Sequence, residues 1–101
     1  MALQLKIVSI ERVIFSGQVK EITLPGEMSR FTILPKHAPI ISSLSEGYIT
    51  FAPLENLKRE EMIDGLEQLE GETQILGLKI KEGFVEMSED YITVCVTEDK
   101  D

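Results

Sequence analysis

Apolar residues along this chain alternate with polar ones in short stretches separated by turn formers. Leu3, Leu5 and Ile7 alternate with Gln4 and Lys6, the period of two that marks a strand with one buried face. Val13, Ile14 and Phe15 form a short apolar run closed by Ser16 and Gly17. Val19 to Leu24 reads as a strand whose alternation slips by one between Val19 and Ile22, and a bulge explains the slip. Pro25 and Gly26 end it in a turn. Arg30 to Leu34 is another short strand, stopped by Pro35. Pro35 and Pro39 bracket Lys36, His37 and Ala38 as a rigid connector with two backbone donors removed. Ile40 and Ile41 precede Ser42 and Ser43, and the strand Tyr48 to Phe51 follows Glu46 and Gly47. Later, Leu76, Leu78 and Ile80 alternate, Gly83 opens Phe84 to Met87, and Glu89 and Asp90 turn into Tyr91 to Val96. Short strands so closely spaced predict an all-β fold, an antiparallel two-sheet sandwich or barrel.

Residues 53–73 depart from this rhythm. Met62, Ile63, Leu66 and Leu69 fall at helical spacing, and Glu55 and Arg59 lie four apart. Gly65 opposes a helix by about 1 kcal/mol. The pattern predicts a short, marginal helical excursion between two strands.

Composition narrows the function classes. A chain of 101 residues suits one domain. With six aromatics and no Trp, its core must be aliphatic. The net charge of −8 is uneven: seven acids against Lys58 and Arg59 leave −5 in residues 53–73, and residues 98–101 add −2. Phosphate backbones repel such a chain, so nucleic-acid binding is not expected. A single cysteine, Cys95, allows no disulfide within the chain and favours a reducing compartment. The N-terminus lacks the pattern of a signal peptide. No apolar run approaches the ~20 residues of a membrane helix, so direct lipid insertion is not expected.

Candidate chemistry is sparse. His37 is the only histidine and has no second ligand to suggest a metal site or a catalytic pair, so it reads as a residue hydrogen-bonded within a proline-flanked turn. Cys95 reads as a small buried apolar residue, in an acidic stretch that would not activate a thiol. Glu60, Glu61 and Asp64 lack the spacing of a calcium loop, and Gly26 lacks a phosphate-loop context, so it reads as a turn glycine. No metal or cofactor is expected. These features favour a binding or structural role over catalysis. A free-standing acidic adaptor is one rival reading, and a small hydrolase or cupin-like enzyme, weakened by the single histidine, is another.

Three stretches together resemble the N-terminal domain of the ATP synthase epsilon subunit: Ile7 to Gly17, with its Phe15-Ser16-Gly17; Ile22 to Gly26 followed by Phe31 to Pro39, with its Pro35, His37 and Pro39; and Gly83 to Met87 with Ile92 to Val94. The resemblance spans the chain apart from residues 53–73. It departs at Thr32 and Lys36, where the family usually has glycine, and at Arg30, where an acidic residue is common. The resemblance implies a non-catalytic rotor subunit that binds the gamma subunit and the membrane c-ring, couples proton-driven rotation to ATP synthesis, and sits peripherally on the cytoplasmic face of a bacterial plasma membrane. By position, Ser9, Ile10, Ile40, Ile41 and Ser42 would face gamma, and the loop Glu27, Met28, Ser29 and Arg30 would face the c-ring. It also implies a sandwich over residues 1–97, an insertion-like segment at 53–73 and an acidic tail at 98–101. With no helical hairpin following, neither the family's inhibitory arm nor its ATP binding is expected.

Overall fold

The computed structural model describes residues 2–69 and 73–99. Within them the chain forms eight strands: β1 (Leu3–Val8), β2 (Val13–Pro25), β3 (Arg30–Ile33), β4 (Ile40–Leu44), β5 (Gly47–Pro53), β6 (Leu66–Leu69), β7 (Ile75–Ser88) and β8 (Tyr91–Glu98). Two of them, β2 and β7, are long enough to serve both layers of a sandwich. The first half of β2 pairs with β1 and its second half with β3 and β5. The first half of β7 pairs with β5 and β6 and its second half with β4 and β8. One layer is therefore β4, β7, β8, β1 and β2, and the other is β6, β7, β5, β2 and β3.

Each long strand carries an extra residue where it passes between layers. In β2, Val19 pairs with Pro53 and Glu21 with Ala52, leaving Lys20 over. This is the predicted bulge, and it keeps both Val19 and Ile22 buried although they are three apart. In β7, Ile80 pairs with Glu98 and Glu82 with Thr97, leaving Lys81 over. A bulge bends a strand and strengthens its twist, which lets one strand turn the corner of a sandwich.

Three expectations are corrected. Ser16-Gly17 does not close a run, and Gly83 does not open a new one: both lie inside continuous strands because neighbours on the sheet continue to pair with them. A Cβ on Gly83 would collide with the Cys95 carbonyl oxygen, so the glycine permits close strand approach. The sandwich is not wholly antiparallel. β1 runs parallel to β8, with Leu5 beside Ile92 and Ile7 beside Val94; nearly the whole chain separates the two strands, ample for a parallel crossover. The Glu89-Asp90 turn is as expected, a two-residue hairpin with φ of 52° and 66°, the positive values that match strand twist.

The core is aliphatic apart from Phe15 and Phe51, whose rings meet across the layers at 4.6 Å. Leu3, Leu5, Ile7, Val85 and Val94 come from one layer, and Ile22, Leu24, Ile49, Leu76 and Leu78 from the other. Each such side chain contributes roughly 1.5–3 kcal/mol by leaving water.

Residues 53–69 take a different form from the helical excursion predicted over 53–73, of which residues 70–72 lie outside the described residues. One 3₁₀ turn, Arg59–Glu61, precedes the short strand β6. Glu55 and Arg59 do not share a helix. Gly65 has φ of 100°, which no helix accommodates, and the free edge of β7 offers backbone partners that a strand can use. Met62, Ile63 and Leu66 pack partly buried against the core, whereas Leu69 is 39% exposed. Buried Gln74 fastens the segment by accepting from the Leu57 N–H (2.7 Å) and donating to the Leu57 carbonyl (3.1 Å).

Candidate functional site

Alternation along β1, β4, β7 and β8 points one set of side chains into the core and the other onto the outer face of their layer. The outward set is unexpectedly apolar. Phe84 pairs directly with Cys95, Cys95 with Val8, and Val8 with Val13. Ile41 is the diagonal neighbour of Phe84, through its own pairing with Glu86. Ile41 is 78% exposed, Phe84 52% and Val13 51%. A shallow groove of about 430 Å³ runs over Val8, Phe84 and Cys95 to Ile10, at the tip of the β1–β2 hairpin. Lys6, Glu86 and Thr93 flank this band.

The residues expected to face one partner divide. Ile10 and Ile41 are exposed on the band, and Ser9 lines its groove. Ile40 and Ser42 occupy the alternate positions of β4, on the same side as buried Leu44, and Ile40 packs against the core. Neighbouring strand residues cannot share a face, so Ile40 and Ile41 do not form one patch. Val8, Val13, Phe84 and Cys95 were not anticipated. Cys95 is half-buried on the outer face, not a core residue. The signal was in the sequence: Phe84 and Cys95 both occupy the exposed phase of strands whose other phase is buried.

Arg12 braces the hairpin. Its Nε donates to Glu98 Oε2 (3.2 Å), and its Nη2 donates to Glu98 Oε1 (2.7 Å) and to the Asp64 carbonyl (2.6 Å). The Glu98 carboxylate raises the Arg12 guanidinium further above its ordinary value, chiefly through the side-chain hydrogen bond. Glu98, read as the start of a tail, is the last residue of β8, and Asp99 adjoins it with an ion pair to Lys79 at 3.6 Å. Lys100 and Asp101 lie outside the described residues.

Glu27, Met28 and Ser29 form an exposed bend at the other end of β2, with Met28 at 98% exposure. Arg30 anchors it by donating to the Tyr48 carbonyl at 2.6 Å. The Pro35–Pro39 connector folds with Lys36 at φ 68°, its N–H donating to Asp90 Oδ1 at 2.6 Å. His37 is exposed, and its Nδ1 donates to the Ala38 carbonyl at 2.7 Å, which requires the proton on that nitrogen. Among the described residues no group of three or more His, Cys, Asp or Glu side chains is arranged to hold a metal ion.

The family model for the ATP synthase, Delta/Epsilon chain, beta-sandwich domain matches residues 2–65. The chain is 36% identical over 94 residues to the ATP synthase epsilon chain of a Nitratiruptor species, covering 93% of this chain and 60% of that one. It is 40% identical over 73 residues to the ATP synthase epsilon chain of Gloeobacter violaceus, covering 66% of this chain and 55% of that one. The chain thus spans well under two thirds of these relatives' length. A chain in the central stalk/c-ring structure of Tetrahymena thermophila mitochondrial ATP synthase superposes with a TM-score of 0.68 at 13% identity, over 94% of this chain and 63% of that one. One in the Euglena gracilis mitochondrial ATP synthase structure gives 0.72 at 14% identity, over 96% and 51%. These structures share the fold; the family match over most of the sequence, carried on strands β1 to β5, goes further, and the chain belongs to the ATP synthase delta/epsilon chain beta-sandwich family.

Proposed function

We propose that this chain acts as a non-catalytic central-stalk subunit of an F-type ATP synthase, with the apolar band docking on the gamma subunit and the Glu27–Arg30 loop meeting the c-ring. The observation that carries the reading is the band itself: Ile41, Phe84, Cys95, Val8, Val13 and Ile10 form a contiguous apolar strip on the outside of one sheet. Contiguous exposed apolar surface on a small domain marks a place another protein covers. The band's residues on β1, β2 and β4 fall within the family match. In this role the sandwich couples proton-driven rotation to ATP synthesis by clamping gamma to the ring, and it works peripherally on the cytoplasmic face of the membrane. No helix among the described residues is long and apolar enough to cross a bilayer. Ile10 and Ile41 are the gamma-facing residues; Ile40 and Ser42 support them from the core side of β4.

The test is binding to purified gamma together with co-purification from detergent-solubilised membranes. The wild-type chain is expected to form a stoichiometric complex with gamma and to leave the membrane with the other ATP synthase subunits. Failure of both would reject the reading in favour of a free-standing adaptor.

A further inference from the structure

The Ser9–Arg12 hairpin projects Ile10 into solvent with no neighbour to pack on, its side chain being fully exposed. Its backbone is closed by the Ser9 N–H donating to the Arg12 carbonyl at 2.9 Å. A tip of this kind loses conformational freedom when it binds, and that cost lowers affinity unless the tip is already held in place. Arg12 supplies the hold. One guanidinium joins the hairpin, the end of β8 through Glu98, and the turn before β6 through the Asp64 carbonyl. The planar fork of arginine suits this, since it serves two acceptors in fixed directions where lysine offers a single point charge. The Glu98 side chain is only 4% exposed, so this end of the clamp is shielded from water. The turn leaves space for it: a Cβ on Gly65 would sit 3.1 Å from both Arg12 Nη2 and Glu98 Oε1. The far side of the segment is itself anchored, by Gln74 on Leu57 and by Met62, Ile63 and Leu66 on the core.

We propose that Arg12 is a positioning residue for partner binding, and that the segment Leu57–Leu69 is a buttress which, through the Asp64 carbonyl, holds the hairpin so that Ile10 is presented to the gamma subunit. The segment acts on the interface without touching the partner. The proposal rests on the reading of Ile10 as a gamma-facing residue. It assigns a role to a segment expected to be insertion-like, to which Arg12 is coupled through the Asp64 carbonyl.

The test uses the full chain and purified gamma, with affinity, thermal melting and amide hydrogen exchange at Ser9 measured for Arg12→Lys, Gly65→Ala and Ile10→Ser. Arg12→Lys keeps the charge beside Glu98 but cannot reproduce both arms of the fork. Gly65→Ala attacks the clamp from the segment side. Each is expected to weaken gamma binding about ten-fold and to speed exchange at Ser9, with melting lowered only slightly by Arg12→Lys and more by Gly65→Ala, because alanine adopts a φ of 100° only with strain. Ile10→Ser should weaken binding without changing exchange at Ser9. Combined with Arg12→Lys it should add less than it does alone, because an unheld tip contributes less to lose. Faster exchange at Ser9 with unchanged affinity, or full additivity of the two changes, would overturn the proposal. If Ile10→Ser and Ile41→Asp both leave affinity unchanged, the gamma-facing reading itself fails, and the buttress falls with it.

Discussion

The two layers of the sandwich bury similar side chains but turn different faces outward. Across the layer of β3, β2, β5, β7 and β6, the central outward row is Thr32, Thr23, Thr50, Gly77 and Glu67, each paired with the next. Thr23 and Thr32 share a hydroxyl hydrogen bond of 2.8 Å. Across the other layer the corresponding row is Ser43, Phe84, Cys95, Val8 and Val13. Threonine satisfies the β-branched preference of a strand while leaving a hydroxyl for water. An antiparallel sheet needs only one apolar face to fold. The polar row therefore shows what folding requires of an outer face, and the apolar row shows something added to that requirement. The difference between the rows supports placing the proposed interface on the apolar face.

The largest effect should come from placing a charge in the apolar band. Ile41→Asp or Phe84→Asp should fold normally, because both side chains point outward, yet lower gamma affinity by at least a hundred-fold, since the carboxylate would be buried without a partner. Thr32→Asp on the opposite layer should change affinity less than two-fold. Titration of gamma into the three variants measures this, and equal losses from both faces would erase the contrast.

Next in size is a backbone effect confined to the apolar layer. Gly83→Ala forces its methyl group against the Cys95 carbonyl and the Val96 backbone, and should cost about 2–4 kcal/mol, within the range for overpacking and backbone strain. Chemical denaturation reads the loss directly. Gly77→Ala in the polar layer should cost less than 1 kcal/mol, because its Cβ would meet Tyr48 and Leu69 at ordinary contact distances of 3.6 and 3.9 Å.

Replacing residues 58–69 by a short Gly-Ser turn should cost about 2 kcal/mol. Met62, Ile63 and Leu66 would lose partial burial worth somewhat under 1 kcal/mol each, and the shorter loop recovers little of that in closure entropy. A melting midpoint unchanged by the replacement would instead show the segment to be a dispensable insertion. Smallest of all, Thr32→Val should shift stability by less than 1 kcal/mol, since it removes one exposed hydrogen bond. A valine there that also raised gamma affinity would blur the distinction between the two faces.

Local pattern alone settled much of this protein. Alternation and short apolar runs marked strand segments throughout the framework except at β4 and β6, and the slip at Val19–Ile22 announced a bulge. Family resemblance added the partner surfaces proposed around Ile10, Ile41 and Glu27–Arg30. Pairing between distant strands decided the rest, because it depends on which edges are free after the others have formed. Residues 75–88 became one strand because β5 and β6 hold one half and β4 and β8 the other, so Gly83 joined two runs that local composition would separate. Leu66–Leu69 became a strand because β7 had an edge to fill, although its leucines are spaced for a helix. Which of Ile40 and Ile41 points outward followed from the register of β4 on β7, which no single segment specifies. The apolar row emerged only when Phe84, Cys95, Val8 and Val13, far apart along the chain, were brought side by side across four strands.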